Sequence, residues 1–241
     1  MILQTTPAAG VRVLTLNDPA RMNALSGPLV SELAAAVADA EADSAISALV
    51  ITGSGRGFCA GAVLGDLDAL GNDPDGGASA LSSIYEGFLC IERSPLLTIA
   101  AVNGPAVGAG LNLALACDIR VATKVATFDP RFLGIALHPG GGHTRLLHRA
   151  VGHQAAAAML LAQEAVDGIR AAEIGLAWTC ADDVVGAAIR LATQAAQSDR
   201  ALLLRAKQSL RITPTLADHA EAVDYELEQQ LWSIAQRVRR S

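Results

Sequence analysis

Hydrophobic and polar residues follow two different periods along the first part of the chain. In VRVLTL, residues 11–16, apolar side chains alternate with others, which is typical of a strand with one buried face. From Val30 to Val37 the apolar residues follow the i, i+3, i+4, i+7 spacing of a helix with one buried face. Ser26 is a plausible N-cap, and Pro28 suits the first helical turn. The pattern therefore predicts a strand followed by an amphipathic helix.

Continuous apolar runs predict further strands, and helical segments separate them. The runs are ISALVIT (46–52), LLTIAAV (96–102) and DIRVA (118–122), and the spacing predicts a helix over 107–116. The acidic, glycine-rich stretch 65–80 lacks a core-forming pattern and is predicted to be a mobile surface loop. Alternating strands and helices predict an α/β layer architecture as far as about residue 150.

The last third of the chain shows helical periodicity throughout. It ends in a long predicted helix, LADHAEAVDYELEQQLWSIAQRV, in which Leu227, Leu231 and Ile234 share one stripe. Such a stripe indicates a subunit contact as readily as a lid over the core. We therefore divide the chain into a core region, 1–180, and a helical oligomerisation or lid region, 181–241.

Charge, apolar runs and cysteine spacing indicate which partners and which cell compartment to expect. The formal charge of the 241-residue chain is −6, and no basic stripe is available to neutralise a phosphate backbone, which argues against nucleic acid as a partner. The chain contains no 18-residue apolar run without a polar break, so we expect no membrane contact. Its four cysteines are far apart and show no C-x-x-C spacing, which favours a reducing compartment such as the cytoplasm.

The segment AVNGPAVGAGLNLALACDIRVA, residues 101–122, places a turn of small residues between a strand and a helix. This is the context of a dinucleotide-binding fingerprint, but after Gly108 and Gly110 the third required position holds Leu113. A P-loop is also excluded, because no G-K-[ST] follows a glycine turn. TGSGRG, around Ser54, does not match the nucleophile elbow.

Histidines recur every five residues, at His138, His143, His148 and His153. At 3.6 residues per turn, four positions with this spacing cannot share one helical face. The spacing therefore argues against a metal site.

With these motifs excluded, the backbone amides of the turns are the remaining candidates for a chemical role. Glycines at a helix N-terminus expose N–H groups that donate to an anionic oxygen, assisted by the helix dipole. A second turn of small residues, GRGFCAGAVLGDL (55–67), also follows a predicted strand. Two convergent donors would form an oxyanion hole.

Four segments in order resemble one protein family. GRGFCAGAVL and AVNGPAVGAGLNLALACDIRVA, with LNDPARMNALS upstream and HPGGGHTRLLHRAVG downstream, closely resemble the enoyl-CoA hydratase/isomerase (crotonase) superfamily from residue 11 to about 180. The resemblance implies a crotonase-like spiral of ββα units with an all-helical C-terminal region, assembled as a homotrimer or a dimer of trimers. It also implies an acyl-CoA thioester as substrate and no separate cofactor, because CoA is part of the substrate.

The resemblance places the oxyanion-hole donors at the backbone amides of Ala62 and Ala109. Adding water to an enoyl thioester, or moving its double bond, creates an enolate on the thioester oxygen. By analogy with other oxyanion holes, each donor contributes about 3 kcal/mol. The CoA contacts of the family correspond to Arg21, Met22, Ala24, Ala60 and Leu64. Arg21 could contact a CoA phosphate, but it is equally well interpreted as an ordinary solvated arginine in a loop.

The sequence departs from the hydratase pattern at both glutamates that hold the water in that family. Asn112 stands at the first and Phe132 at the second. Asn112 can hold a water through its amide but cannot accept its proton. Because a general acid or base supplies about 10² to 10⁴ in rate, the loss of both should impair ordinary hydration.

Three other residues lie in the segment that supplies the second glutamate: Asp129, His138 and His143. His138 is the strongest candidate, because imidazole titrates near neutral pH and this residue directly precedes PGGG. A helix-capping role for Asp129 and a surface or hydrogen-bonded role for the histidines are the structural alternatives.

The leading functional hypothesis is an enoyl-CoA hydratase/isomerase-like lyase of fatty acid metabolism with atypical acid and base residues. A non-catalytic acyl-CoA-binding protein is the first alternative. The second is a different reaction on the same enolate, such as thioester hydrolysis, decarboxylation or a double-bond shift that uses His138 or Asp129.

Overall fold

The computed structural model describes residues 1–63 and 74–240. The strands in these ranges are β1 Ile2–Ala8, β2 Val11–Leu16, β3 Ala48–Gly53, β4 Leu97–Val102, β5 Ala106–Val107, β6 Ile119–Ala122, β7 Thr127–Asp129, β8 Val166–Asp167 and β9 Thr179–Cys180. The helices are α1 Gly27–Ala42, α2 Pro74–Arg93, α3 Ala109–Ala116, α4 His143–Leu160, α5 Gly168–Glu173, α6 Val184–Ala196, α7 Arg200–Ile212 and α8 His219–Arg240. Short 3₁₀ turns occupy Pro19–Arg21, Leu133–Ile135 and Thr213–Thr215.

The larger sheet has the strand order β1-β2-β3-β4-β6-β9. β1 pairs antiparallel with β2, and the remaining neighbours are parallel. In the register of the parallel strands, Val13 lies opposite Val50, and Val50 lies opposite Ile99. A smaller sheet has the order β5-β7-β8. The predicted α/β architecture is therefore confirmed.

Both faces of the central strands β3 and β4 are buried, which explains their nearly continuous apolar sequences. On one face the strands pack against α6 through Val11, Val13, Ala48, Val50, Ile99, Ala101, Val121, Val184, Ala187, Ala188 and Ala192. Residues of the alternate parity point to the opposite face and share a core with α1, α2 and α3. The site described below lies beyond the carboxyl ends of β3 and β4, where the chain leaves this core.

Some predicted boundaries shift in the structure. The helix predicted over 107–116 begins at Ala109, because Val107 pairs with Asp129 in the smaller sheet. The loop prediction for 65–80 is wrong from Pro74 onward, where α2 already begins; proline is tolerated in a first helical turn. The preceding positions of that stretch lie outside the described residues. β8 and β9 interrupt the region predicted to be helical after residue 150, because each pairs with a distant strand.

The C-terminal helices differ in how they meet the core. α6 covers the sheet, whereas α7 and α8 contact each other through Arg205, whose guanidinium lies 4.1 Å from the ring centroid of Trp232. The predicted stripe of α8 is exposed: Leu227, Leu231 and Ile234 retain about half of their surface. A subunit contact at this stripe and the division at residue 180 both stay predictions.

Three further observations concern the cysteines, metal-ligand clusters and membrane-spanning helices. All four cysteines are free thiols. Within the described ranges, no cluster of three His, Cys, Asp or Glu side chains is arranged to hold a metal ion. None of the helices described here combines the length and apolarity that a bilayer crossing requires.

An ion pair between the buried Lys207 and the more exposed Asp118 fastens α7 to the sheet. The Nζ atom of Lys207 lies 2.6 Å from Oδ2 of Asp118, and Lys207 also donates to the carbonyl oxygen of Leu96. The same carboxylate accepts from the backbone N–H and the hydroxyl of Thr98, at 2.8 and 2.9 Å. Burial lowers the pKa of Lys207, and the neighbouring Asp118 opposes this shift. Asp118 therefore satisfies three donors at once.

Removing the acid should destabilise the protein more than removing the base. Asp118→Ala leaves a buried ammonium and two Thr98 donors without their acceptor, so we expect a loss of about 3 to 5 kcal/mol in the free energy of unfolding. Lys207→Met keeps the Thr98 bonds and replaces the cation with an apolar chain, so its loss should be smaller. Urea denaturation of the two variants measures the order, and a larger loss for Lys207→Met would contradict this account.

Candidate active site

Two turns of small residues meet at the carboxyl ends of β3 and β4. The backbone N–H groups of Phe58 and Cys59 donate to the carbonyl oxygen of Pro105, at 3.0 and 3.1 Å. In return, the N–H of Val107 donates to the carbonyl oxygen of Cys59 at 3.0 Å. Cys59 and Ala106 thus form a parallel β-bridge. The bridge sets the Cys-Ala-Gly turn beside the Gly-Ala-Gly turn.

The second predicted donor stands at the start of a helix. Ala109 is the first residue of α3, and its first-turn N–H has no intrahelical acceptor. Gly108, which precedes it, has φ 53° and donates its own N–H to the carbonyl oxygen of Asp129 at 2.9 Å. Among the residues that the structure describes, no recorded hydrogen bond uses the N–H of Ala109. The helix dipole adds partial positive charge at this position.

The first predicted donor follows a glycine in a left-handed conformation. Gly61 has φ 97°, and its carbonyl oxygen accepts from the N–H of Leu25 at 2.7 Å. Because C=O and N–H of a trans peptide point in opposite directions, the N–H of Ala62 points away from Leu25. A Cβ atom on Gly61 would lie 2.7 Å from the carbonyl oxygen of Val107 and 3.5 Å from the amide nitrogen of Ala109. The two candidate amides therefore belong to turns in direct contact.

Asn112 and His143 form a buried polar pair next to these turns. Each is 1% exposed. The amide nitrogen Nδ2 of Asn112 donates to the carbonyl oxygen of Gly140 at 3.0 Å, and its Oδ1 lies 2.7 Å from Nδ1 of His143. Because Oδ1 can only accept, Nδ1 of His143 must carry the proton. The pair therefore fixes the tautomer of His143.

The other ring nitrogen of His143 is an unprotonated acceptor. Nε2 is buried and has no hydrogen-bond partner within residues 1–63 and 74–240. Burial lowers the pKa of His143 from its usual 6.5 to about 4, so the ring is neutral at pH 7. A neutral imidazole whose Nε2 lone pair is free can accept a proton.

The two residues predicted to stand at the family's glutamate positions both contact this histidine. Asn112 binds Nδ1, and the half-buried ring of Phe132 meets the imidazole edge-on, with centroids 4.9 Å apart. The structure thus brings Asn112, Phe132 and His143 together. Sequence reasoning named His143 as a candidate but ranked it below His138.

The other two acid–base candidates have different surroundings. His138 is exposed, and its Nδ1 lies 2.8 Å from the carbonyl oxygen of Pro139. Asp129 forms an ion pair with Arg131, with Nη2 and Oδ2 2.6 Å apart. Asp129 nevertheless contributes to the site through its backbone, which holds Gly108. Catalytic roles for these two side chains stay predictions.

The segments predicted to contact CoA are joined to each other. The N–H of Ala60 donates to the carbonyl oxygen of Met22 at 2.9 Å, and Ala24 is buried two residues beyond. The side chain of Arg21 is 62% exposed and pairs with Asp18 at 2.7 Å. The remaining predicted contact, Leu64, lies outside the described residues.

Asn23, which sequence reasoning missed, anchors the first of these segments. Its side chain is buried, accepts from the N–H of Asp18 at 2.9 Å and donates to the carbonyl oxygens of Ser54 and Gly57 at 3.0 and 2.8 Å. It adopts a left-handed conformation, φ 58°, which asparagine tolerates better than most residues. A polar residue flanked by Met22 and Ala24 is the sequence signal for such an anchor.

Comparison with known proteins decides the family. The sequence profile named "Enoyl-CoA hydratase/isomerase" matches residues 6–239. The chain belongs to the enoyl-CoA hydratase/isomerase family. It is 45% identical over 229 residues to "Probable enoyl-CoA hydratase EchA14" of Mycobacterium tuberculosis (strain ATCC 25618 / H37Rv), covering 93% of this chain and 89% of that protein.

Solved structures agree with this assignment. Enoyl-CoA hydratase from Bacillus anthracis superimposes with a TM-score of 0.90 at 26% identity, covering 97% of this chain and 91% of the other. A Thermobifida fusca YX protein solved in complex with CoA gives a TM-score of 0.86 at 28% identity, covering 99% and 94%. The crotonase-like fold that the sequence resemblance predicted for this chain is therefore confirmed.

The contact between the two turns should not tolerate a side chain at Gly110. A Cβ atom there would lie 2.1 Å from the carbonyl oxygen of Cys59, which also accepts from Val107. We expect Gly110→Ala to lower the free energy of unfolding by about 2 kcal/mol or more, because backbone must move. Gly27→Ala is the matched control. Apart from its chain neighbours and the backbone of its own helix, no heavy atom of the described residues lies within 4 Å of its Cβ position, and we expect a change within about 0.5 kcal/mol. Chemical denaturation of both variants provides the measurement, and equal stabilities would refute the tight contact.

Proposed function

We propose that this protein is an enzyme that adds water to the double bond of an enoyl-CoA thioester, or shifts that double bond, through an enolate. In this proposal the thioester oxygen lies between the backbone N–H groups of Ala62 and Ala109. The observation that carries the proposal is the pairing of the two turns, with Gly61 against the carbonyl oxygen of Val107 and with no acceptor for the N–H of Ala109 among the described residues.

Backbone amides alone are sufficient to stabilise the enolate in this proposal. When a nucleophile adds to C3 of the enoyl chain, the electron pair of the double bond moves to the thioester oxygen and an enolate forms. Fixed donors aimed at that oxygen stabilise the transition state more than the substrate, by about 3 kcal/mol for each donor. The N-terminus of α3 adds to this effect, because its dipole favours negative charge.

CoA recognition is the second part of the proposal. The Thermobifida fusca neighbour was solved with CoA, which supports the same ligand here, entering as part of the substrate. The adjoining segments around Met22 and Ala60 would hold the CoA portion, together with Ala24 and Leu64. Arg21 would meet a CoA phosphate with a guanidinium that is already largely exposed.

The setting of the enzyme follows as a further proposal. Four free thiols support a cytoplasmic location. The exposed apolar stripe of α8, with Leu227, Leu231 and Ile234, supports assembly into a homotrimer or a dimer of trimers.

A second candidate function is acyl-CoA binding without turnover. The observation in its favour is the pair of positions Asn112 and Phe132, which carry no carboxylate. In that case the two turns would still cradle the thioester oxygen. A purified protein that binds acyl-CoA yet never converts it would support this candidate.

Substituting proline at Ala109 tests the oxyanion hole. Proline lacks the N–H but is tolerated at the first position of a helix, so Ala109→Pro removes the donor at little structural expense. We expect kcat for crotonyl-CoA, followed by loss of the enoyl absorbance, to fall by about 10² to 10³. Ala109→Gly keeps the N–H and should lose far less.

The controls separate binding from chemistry. Calorimetric titration with CoA should give similar affinities for both variants, because the thioester oxygen is absent from CoA. Equal kcat values for Ala109→Pro and Ala109→Gly would refute the donor role. If the wild-type protein binds acyl-CoA without any turnover, the second candidate replaces the first.

A further inference from the structure

His143 contains a polar atom for which the fold itself offers no partner. Its Nε2 is buried without a hydrogen bond in the described part of the chain, although the rest of the side chain is firmly held. Leaving a buried acceptor unsatisfied disfavours folding. Such groups in folded proteins call for an explanation, and one explanation is a ligand or water that supplies the missing donor.

The position of His143 relative to the amides is fixed by α3. Asn112 follows Ala109 by three residues, so both lie on the same side of the helix, about 4.5 Å apart along its axis. Side chains of a helix lean toward its N-terminus, which is the end where the Ala109 N–H is exposed. Because Asn112 binds Nδ1 of His143 at 2.7 Å, the imidazole lies at that same end.

Asn112 determines the chemical state of the ring. Its Nδ2 is committed to the carbonyl oxygen of Gly140, so its Oδ1 holds the proton of His143 on Nδ1 and leaves the lone pair on Nε2. A carboxylate at this position would favour a charged imidazolium, whereas the neutral amide does not. The Phe132 ring packs against the same imidazole, with the two ring planes inclined at 61°.

We propose that Nε2 of His143 carries the proton in the reaction of this site, with Asn112 as its positioning residue. This inference rests on the function proposed above. Nε2 takes a proton from water while the water oxygen bonds to C3, and the electron pair of the double bond moves to the thioester oxygen. The imidazolium then returns the proton to C2, the thioester carbonyl reforms, and water has been added without another reactant.

The charge balance of this step suits a buried imidazole. The imidazolium exists only while the enolate carries the opposite charge, and a nearby opposite charge favours the protonated ring. Before and after the reaction, both groups are neutral. The site therefore never holds an isolated charge in its interior.

The test compares two histidines of α4. His143→Gln keeps a donor for Asn112 but cannot carry a proton, whereas His148→Gln changes an exposed residue of the same helix. For hydration of crotonyl-CoA, we expect His143→Gln to lower kcat by about 10² or more, with KM and the melting temperature little changed. His148→Gln should match the wild type, and added imidazole should restore part of the activity of His143→Ala.

Several outcomes overturn the proposal. It is wrong if His143→Gln retains more than half of the wild-type kcat, or if its loss of activity follows loss of folding or of acyl-CoA binding. A wild-type protein that binds acyl-CoA without turnover would overturn both this inference and the catalytic part of the proposed function. A wild-type protein that binds no acyl-CoA would overturn the proposed function at its base.

Nitrogen-15 NMR of histidine-labelled wild-type protein tests the premise without requiring turnover. We expect the His143 ring at pH 7 to carry its proton on Nδ1, and its unprotonated Nε2 signal to shift when a saturated acyl-CoA binds. A ring protonated on Nε2 would overturn the proposal, and so would a signal indifferent to the ligand.

Discussion

The close approach of two backbone segments is the constraint on which the rest of this structure depends. The carbonyl oxygen of Cys59 lies against the Cα of Gly110, and Gly61 lies against the carbonyl oxygen of Val107. These contacts leave no space for side chains. The same sequence feature, small residues after β3 and β4, therefore lets the two turns meet. The contact between the two turns therefore serves both the stability of the fold and the proposed chemistry.

Much of this arrangement was predictable from local patterns. The apolar runs indicated the parallel strands, because strands buried on both faces lack polar alternation. The clustering of small residues in 55–67 and 101–122 indicated two backbone donors, and the structure pairs Cys59 of the first turn with Ala106 of the second. The segments quoted from the sequence also identified the family, which the comparisons confirmed.

The parts that sequence reasoning missed or ranked too low depend on partners distant in the chain. His143 lies 31 positions from Asn112, and nothing near it in the sequence shows that its ring is buried or which nitrogen holds the proton. His138 has the more suggestive local context but lies at the surface. β8 and β9 escaped prediction for a similar reason, because a two-residue strand is defined only by its pairing with a distant strand. Long-range contacts, rather than periodicity, decide such positions.

The central claim is that two backbone amides hold the thioester oxygen. Isotope-edited infrared difference spectroscopy of a saturated acyl-CoA, carbon-13 labelled at the thioester carbonyl and bound to the wild-type protein, tests it most directly. Two fixed donors weaken the C=O bond, so the account predicts a carbonyl stretch at lower frequency than that of the same thioester in water. A stretch at the frequency seen in water, or above it, would contradict the account, because the oxygen would then lie outside the paired turns.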